Sequence, residues 1–353
     1  MVRSRTYIAT PPGATIKEQL KDREMSQKEF AARMDMSEKH ISRLINGEVQ
    51  LTPDMAIRLE VVLGVPAKFW NNLEAAYRER IIRVESENAM EADEVLARML
   101  PYCEMAKYGW IPSTRNVKEK VINLRKYFEV VELSLLADKQ ITRIACRRLA
   151  VTEKSDLALM AWAQEAKIKA REIVTEPIDI KKLMNLIPEI RKMTLQTPVE
   201  FCNLLKEKLG KCGIALVFLP HLKGSFLQGA SFMDGSKIVL GLTARGKDAD
   251  KFWFSLFHEL GHIILGHIGQ QDGTSDQDEK DADIWSRNEL IPIEAFKKFT
   301  GQHVFTTDSV KNFADHIGVA PGIVVGRLQN EGYILHSMMN DLKEHYQMDI
   351  IAG

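Results

Sequence analysis

Apolar positions between residues 15 and 85 recur at three- and four-residue steps in short blocks, a pattern that predicts a string of short helices. Each block has a start signal. Ser26 precedes QKEFAARM, Ser37 precedes EKHISRLI, and Thr52, with Pro53 at the first helical position, precedes DMAIRLEVVL. Gly47 and Gly64 supply stops. From about Asn88 to Leu209 the helical period persists, in stretches such as DLALMAWAQEAKIKAREI and DIKKLMNLIPEIRKM. The character changes at residue 214, where IALVFL reads as a short buried strand and GASFMDGSKIVLGL as two strands around the turn signal Asp234-Gly235. The expected fold class is therefore mainly α with a small β-sheet (α+β). The expected division is an N-terminal domain over 1–85, a helical middle region over 86–199 and a C-terminal domain over 200–353.

Composition narrows the function classes without choosing one. With 45% hydrophobic and 27% charged residues in 353, the chain is expected to bury real cores, which argues against disorder and fibrous repeats. The 48 basic and 48 acidic residues cancel, so any nucleic-acid site must be local. The first 83 residues hold 14 Lys and Arg against 11 Asp and Glu, which makes this the mildly basic end. No apolar run approaches the ~18 residues needed to span a bilayer, and MVRSRTYIATPPGA lacks the apolar core of a secretory signal. A cytoplasmic protein without a membrane partner is expected. Cys103, Cys146, Cys202 and Cys212 form no C-x-x-C pair and are expected to be free thiols.

The segment SQKEFAARMDMSEKHISRLINGE has two short helices joined by the tight Met34-Asp35-Met36-Ser37 connection, the form of a helix-turn-helix. Phe30, Ala31, Met34, Met36, Ile41 and Leu44 would form its interior. Gln27, Lys28, Glu38, Lys39, His40, Ser42 and Arg43 would then face outward, long enough to reach base edges or phosphates, with Asn46 placed to hold a phosphate. A helical hairpin with a solvated charged face would show the same periodicity. The residues themselves resemble the Cro/phage-repressor class, and more closely the HigA-type antitoxin subgroup, whose pattern continues through LTPDMAIRLEVVLGVPAKFWNNLEAAY. That resemblance implies a five-helix DNA-binding domain acting as a homodimer on double-stranded operator DNA. Asp35 stands where the family usually has Gly.

The segment KFWFSLFHELGHIILGHI contains His258-Glu259-Leu260-Gly261-His262. At 100° per residue, His258 and His262 share a helix face and can chelate one ion, with Glu259 beside them as general base. Chance would produce the pattern in roughly 1–2% of such chains, and two core histidines on an amphipathic helix would also fit. A third ligand shifts the balance. In SDQDEKDADIWSRNELIP, Asp281 falls along one face with Ile284, Trp285 and Asn288 and is the expected carboxylate; Asp278 could substitute, and Glu279 is expected to point away. His221, His267 and His316 are expected in surface or capping roles, with oxyanion stabilisation as the alternative.

These stretches resemble the ImmA/IrrE family of metallopeptidases, in which a phenylalanine-rich lead-in to H-E-L-G-H is followed by E-x-E-A-x-x-F-A-x-x-L-L-x-P. Laid on EKDADIWSRNELIP, the pattern places its metal-binding Glu at Asp281, one methylene shorter, and Trp285-Ser286 replaces Phe-Ala. The resemblance implies a zincin-like domain over about 200–345 holding Zn²⁺, with Mn²⁺ compatible with the same thiolate-free ligands. It also implies cleavage of a protein partner such as a repressor or antitoxin. The competing reading is a HigA-like antitoxin or autorepressor whose peptidase-like domain binds a cognate toxin without hydrolysis, and Asp281 keeps that reading open. Finally, SVKNFADHIGVAPGIVVGRLQNEG at 309–332 echoes the N-terminal motif, either as a second DNA reader or as a packed subdomain covering the peptidase site.

Overall fold

A computed structural model describes residues 2–4, 7–137, 153–223, 228–243, 248–268 and 274–346. The chain forms two compact units, Met1–Val95 and Leu96–Gly353. In the first, strands β1 (Val2–Arg3) and β2 (Ile8–Ala9) pair antiparallel ahead of α1 (Gly13–Asp22), α2 (Gln27–Arg33), α3 (Glu38–Ile45), α4 (Pro53–Leu63) and α5 (Ala67–Met99). The predicted caps are present. Ser26 accepts from the backbone N–H of Glu29 at 3.1 Å, Ser37 from that of His40 at 3.2 Å, and Thr52 from that of Met55 at 3.3 Å. Phe30, Ala31, Met34, Ile41 and Leu44 are buried with Ile16, Leu59 and Trp70, while Met36 is half-buried at the edge of the cluster. At the turn Asp35 adopts φ 52°, the left-handed conformation that glycine takes without cost. Arg58 braces this turn by donating to the Met34 carbonyl at 3.0 Å and lying 3.7 Å from the Asp35 carboxylate.

The second unit holds α6 (Tyr102–Lys107), α7 (Val117–Phe128), α8 (Glu153–Arg171), α9 (Ile180–Lys192), α10 (Pro198–Gly210), β3 (Ile214–Leu219), β4 (Gly229–Asp234) and β5 (Lys237–Thr243). It continues through α11 (Ala249–Ile264), α12 (Asp276–Leu290), α13 (Ile293–Thr300), α14 (Thr307–Ile317) and α15 (Pro321–Asn330). The sheet order is β3-β5-β4. β4 and β5 form the expected hairpin, with Asp234 opposite Lys237 and Gly235 at φ 61°, and β3 adds parallel to β5. Trp253, Phe257 and Leu260 of α11 join Leu216 of β3 and Leu240 of β5 in the core.

The boundaries differ from those expected. The expected break at residue 85 falls inside α5, because the run from Ala67 to Met99 contains no glycine or proline to end a helix. The helical middle also lacks an independent place in the contacts. A Cβ added at Gly241 of β5 would lie 2.6 Å from the Trp162 ring, so α8 rests directly on the sheet, and Trp162 Nε1 donates to the Pro220 carbonyl at 3.2 Å. The echo motif is likewise core. In α15, Ile323, Val324, Val325, Arg327 and Leu328 are all buried, which leaves no reading helix for a second DNA site. Cys103, Cys202 and Cys212 are free thiols, and Cys146 lies outside the described residues. Among the described residues no helix is long and apolar enough to cross a membrane.

Candidate metal centre and nucleic-acid interface

On α11 the apolar positions Phe252, Trp253, Leu256, Phe257, Leu260 and Ile263 face the core and hold the helix in place, leaving His258 and His262 one turn apart on the remaining face. Their Nε2 atoms are 3.0 Å apart. The neighbouring helix α12 approaches closely because the crossing point is small. A Cβ on Gly261 would lie 3.1 Å from the Trp285 ring and 3.3 Å from Ala282 backbone, and Ala282 and Ser286 are buried against α11.

That approach brings Glu279 to the histidines, with one carboxylate oxygen 3.4 Å from His258 Nε2 and the other 3.5 Å from His262 Nε2. His258, His262 and Glu279 each offer one ligand atom within 4.8 Å of the others, enough to hold a metal ion. Asp281, the expected carboxylate, sits about 200° further around the helix and instead accepts from Gln277 Nε2 at 2.8 Å. The expectation that Glu279 points away is overturned with it. The error was one of helical phase. Ala282, Ser286 and Leu290 form the packed stripe, and Glu279 extends it at a three-residue step, whereas Ile284, placed on the packed face by the sequence reading, is half exposed. The small residues at 282 and 286 were the signal that would have found it.

An outer layer of polar groups fixes the three. Asp283, one turn past Glu279, contacts His258 Nδ1 through Oδ1 at 2.8 Å. His267 Nδ1 lies 3.1 Å from His262 Nδ1, and its Nε2 lies 3.5 Å from Asp278. Thr274 donates to Glu279 at 2.7 Å. Thus His267 is a buried partner of His262 rather than a surface cap, and Asp278 closes the capping box with Ser275 at the start of α12. His316 is exposed near the end of α14, and the His221 carbonyl accepts from Tyr108.

The charge states follow from burial and these partners. Burial opposes a proton on His258, but hydrogen bonds to Asp283 and Glu279 outweigh it and raise the imidazole to about 10. Desolvation, then the neighbouring His258 charge, lowers His262 to about 4. For Glu279, burial pushes upward, yet the hydrogen bonds with His258 and Thr274 bring it to about 2. Glu279 and Asp283 together call for positive charge beside His258, which a proton on the imidazole or a bound cation would provide.

Glu259 lies beside this group in a different environment. Its side chain is buried and accepts from Ser231 Oγ on β4 at 2.8 Å. Desolvation raises its carboxyl to about 7. Gly229, also on β4, leaves it room, since a Cβ there would come within 2.9 Å of Glu259 Cγ. A carboxyl that titrates near neutrality beside a metal-binding group can take up and return a proton.

In the first unit, Gln27 and Lys28 are exposed at the start of α2. Along α3, Glu38, Lys39, Arg43 and the following Asn46 are exposed, Ser42 is half-buried between them, and Arg43 lies 3.6 Å from Glu48. The opposite side of α3, with Ile41, Leu44 and Ile45, is in the core. The structure thus places Glu38, Lys39, Ser42, Arg43 and Asn46 along one side of α3, with Gln27 and Lys28 exposed on α2, whereas His40, expected to face outward with them, is half-buried and has a buried Nε2.

Residues 16–70 match the helix-turn-helix family model, and residues 213–329 match that of the IrrE N-terminal-like domain. The chain is 42% identical over 66 residues to the uncharacterized HTH-type transcriptional regulator YddM of Escherichia coli strain K12, covering 19% of this chain and 70% of the relative. It is 33% identical over 90 residues to a second uncharacterized HTH-type transcriptional regulator of that strain, YbaQ, covering 26% of this chain and 76% of the relative. The chain belongs to the HTH-type transcriptional regulators, with a DNA-binding helix-turn-helix of the Cro/CI type joined to an IrrE-like domain of the metallopeptidase class.

Proposed function

We propose that the chain is a cytoplasmic, homodimeric regulator of the HigA-like kind. It binds operator DNA through α3 and cleaves a protein partner, a repressor or antitoxin, with a zinc-dependent peptidase site in its second unit. One observation carries the catalytic half: His258, His262 and Glu279 offer ligand atoms within 4.8 Å of one another, with the buried Glu259 next in sequence to the first. The donor set suits zinc. Two imidazoles and one carboxylate leave a coordination position open, and the 3.0–3.5 Å separations are close to the ~3.3 Å edge of a tetrahedron with Zn–N bonds of about 2.0–2.1 Å. Manganese is compatible with the same ligands.

A bound ion supplies Lewis acidity toward water and the scissile carbonyl. Glu259, titrating near neutrality, takes the proton of the attacking water and returns it to the leaving amine. Ser231 holds its carboxylate in place. β4, which carries Ser231 and Gly229, is paired only on its β5 side among the described residues, so an extended polypeptide adding to its other edge would run past Glu259. The non-catalytic reading rested on the short side chain of Asp281, and the position of Glu279 weakens that argument.

The test is digestion of a proteome-derived peptide library with the zinc-reconstituted chain, mapping new termini by mass spectrometry. Glu259→Gln is expected to keep one zinc per chain and to lose cleavage by about 100-fold or more. Wild-type cleavage by that variant would overturn the mechanism, and no cleavage by either would favour a toxin-binding autorepressor.

A further inference from the structure

The helix that carries the two histidines ends in a Schellman turn. Gly266 N–H donates to the Ile263 carbonyl at 3.3 Å and His267 N–H to the His262 carbonyl at 2.9 Å, with Gly266 at φ 78°. A Cβ on Gly266 would meet nothing within 4 Å, so glycine is required here by backbone conformation rather than by space. Such a turn folds the residue after the glycine back over the residue five positions before it, and the pair in contact is ordinarily apolar. In this chain both are imidazoles. The rings of His262 and His267 lie 5.2 Å apart, edge to face at 66°, and the two residues are only 4% and 8% exposed.

The contact joins specific atoms. His262 Nδ1 and His267 Nδ1 are 3.1 Å apart, a hydrogen-bond distance. The other nitrogen of His262, Nε2, faces the cluster, 3.0 Å from His258 Nε2 and 3.5 Å from Glu279. The two ring nitrogens point to different sides, so His267 backs the ligand and does not compete for the ion. An Nδ1···Nδ1 contact between neutral rings carries one proton, and its owner decides whether His262 can bind metal through Nε2. In water the proton of a neutral imidazole favours Nε2, which would block that atom. Asp278 reverses the preference. Its Oδ1 lies 3.5 Å from His267 Nε2 and, as an ionised carboxylate that only accepts, calls for the proton of His267 there. The other oxygen of Asp278 is fixed by the backbone N–H and the hydroxyl of Ser275, both at 2.8 Å. That leaves His267 Nδ1 as the acceptor and places the shared proton on His262 Nδ1.

Resting on the metal-site reading above, we infer that His267 is a positioning residue: it holds His262 in the tautomer with the proton on Nδ1, so that a bare Nε2 is turned toward the ion before any ion arrives. The His258 ligand is backed differently, by the Asp283 carboxylate on the neighbouring helix. One ligand is thus oriented by the packing of α12 and the other by the end of its own helix, with Asp278 at the start of α12 behind it. Removal of such a backing group ordinarily costs about 10–100-fold in metal affinity.

Zinc affinity of the full chain is measured by chelator competition in wild type, His267→Gln and His267→Phe, with thermal melting of the metal-free proteins confirming that each is folded. Phenylalanine fills the space without an acceptor, and glutamine restores one through its side-chain carbonyl. His267→Phe is expected to weaken zinc binding by about 10–100-fold, and His267→Gln by no more than about threefold. Equal loss in both variants, or wild-type affinity in the phenylalanine variant, would reduce His267 to packing and overturn the proposal. The proton is read directly by NMR of ¹⁵N-histidine-labelled protein, with and without zinc. An N–H signal on His262 Nδ1, coupled through the hydrogen bond to His267 Nδ1, is expected in both states and is lost in His267→Phe. A proton on His262 Nε2 in the metal-free protein would overturn the proposal as well. A wild-type chain that shows the coupling but retains no zinc would sink the metal-site reading alone, with the tautomer assignment upheld.

Discussion

The helix-turn-helix and the α11–α12 pair are both helical pairs whose function depends on which side chains face outward, yet they are specified differently. In the first, local chemistry does most of the work. Ser26 and Ser37 each cap the helix that follows, and with Phe30, Met34, Ile41 and Leu44 in the core the residues left over are the outward face. In the second, α12 begins with an acidic run in which Asp276, Asp278, Glu279, Asp281 and Asp283 compete for one role, and only packing against α11 selects among them. A stripe of apolar residues fixes phase by itself; a stripe of Ala282 and Ser286 fixes it only once the partner helix is known to approach that closely.

The largest expected effect tests that selection. Glu279→Ala should abolish tight zinc binding, lowering affinity by well over 100-fold, whereas Asp281→Ala should leave the stoichiometry at one ion per chain. Elemental analysis after zinc reconstitution and dialysis decides it, and the reverse result would restore the phase expected from the sequence.

The same contrast explains what was legible. The α+β class, the β4–β5 hairpin, the caps at Ser26, Ser37 and Thr52, and the two histidines one turn apart all follow from spacing within a single element. Glu279 and Asp283 do not, because each is defined by an atom on α11, and His267 meets His262 only because the chain turns back at the end of α11. How the middle helices divide between units depends on packing for a related reason. Helical periodicity in 86–199 says that helices exist, but the packing of Trp162 over Gly241 depends on a contact between residues about eighty positions apart.

If the two units fold on separate cores, a lesion in one should spare the other. Phe30→Ala removes a fully buried ring from the first core and should cost about 3–5 kcal/mol of that unit's stability. Urea melting followed by tryptophan fluorescence should show an early transition for Trp70, with zinc retention unchanged. Loss of the metal would show that the cores are coupled. A smaller effect is expected on the exposed face of α3, where Lys39→Ala and Arg43→Ala should each weaken binding to the DNA upstream of the chain's own gene by about tenfold. A gel shift unmoved by both would remove this helix from the interface.

The smallest effect concerns the one place where the helix-turn-helix departs from its local rules. Asp35 holds φ 52° at the turn, a conformation that costs an L-residue energy and glycine almost none. Asp35→Gly removes that strain but adds the entropy glycine loses on folding, roughly 0.5–1 kcal/mol. It also gives up the contact with Arg58, an ion pair whose Asp35 side is 96% exposed and which solvent therefore screens. These terms nearly cancel, and the balance should favour glycine by about 0.5 kcal/mol, a rise in melting temperature of a few degrees at most. A clear fall would mean that Arg58, which also donates to the Met34 carbonyl, needs the Asp35 carboxylate to hold its place and that this turn is built on the pair rather than on backbone freedom.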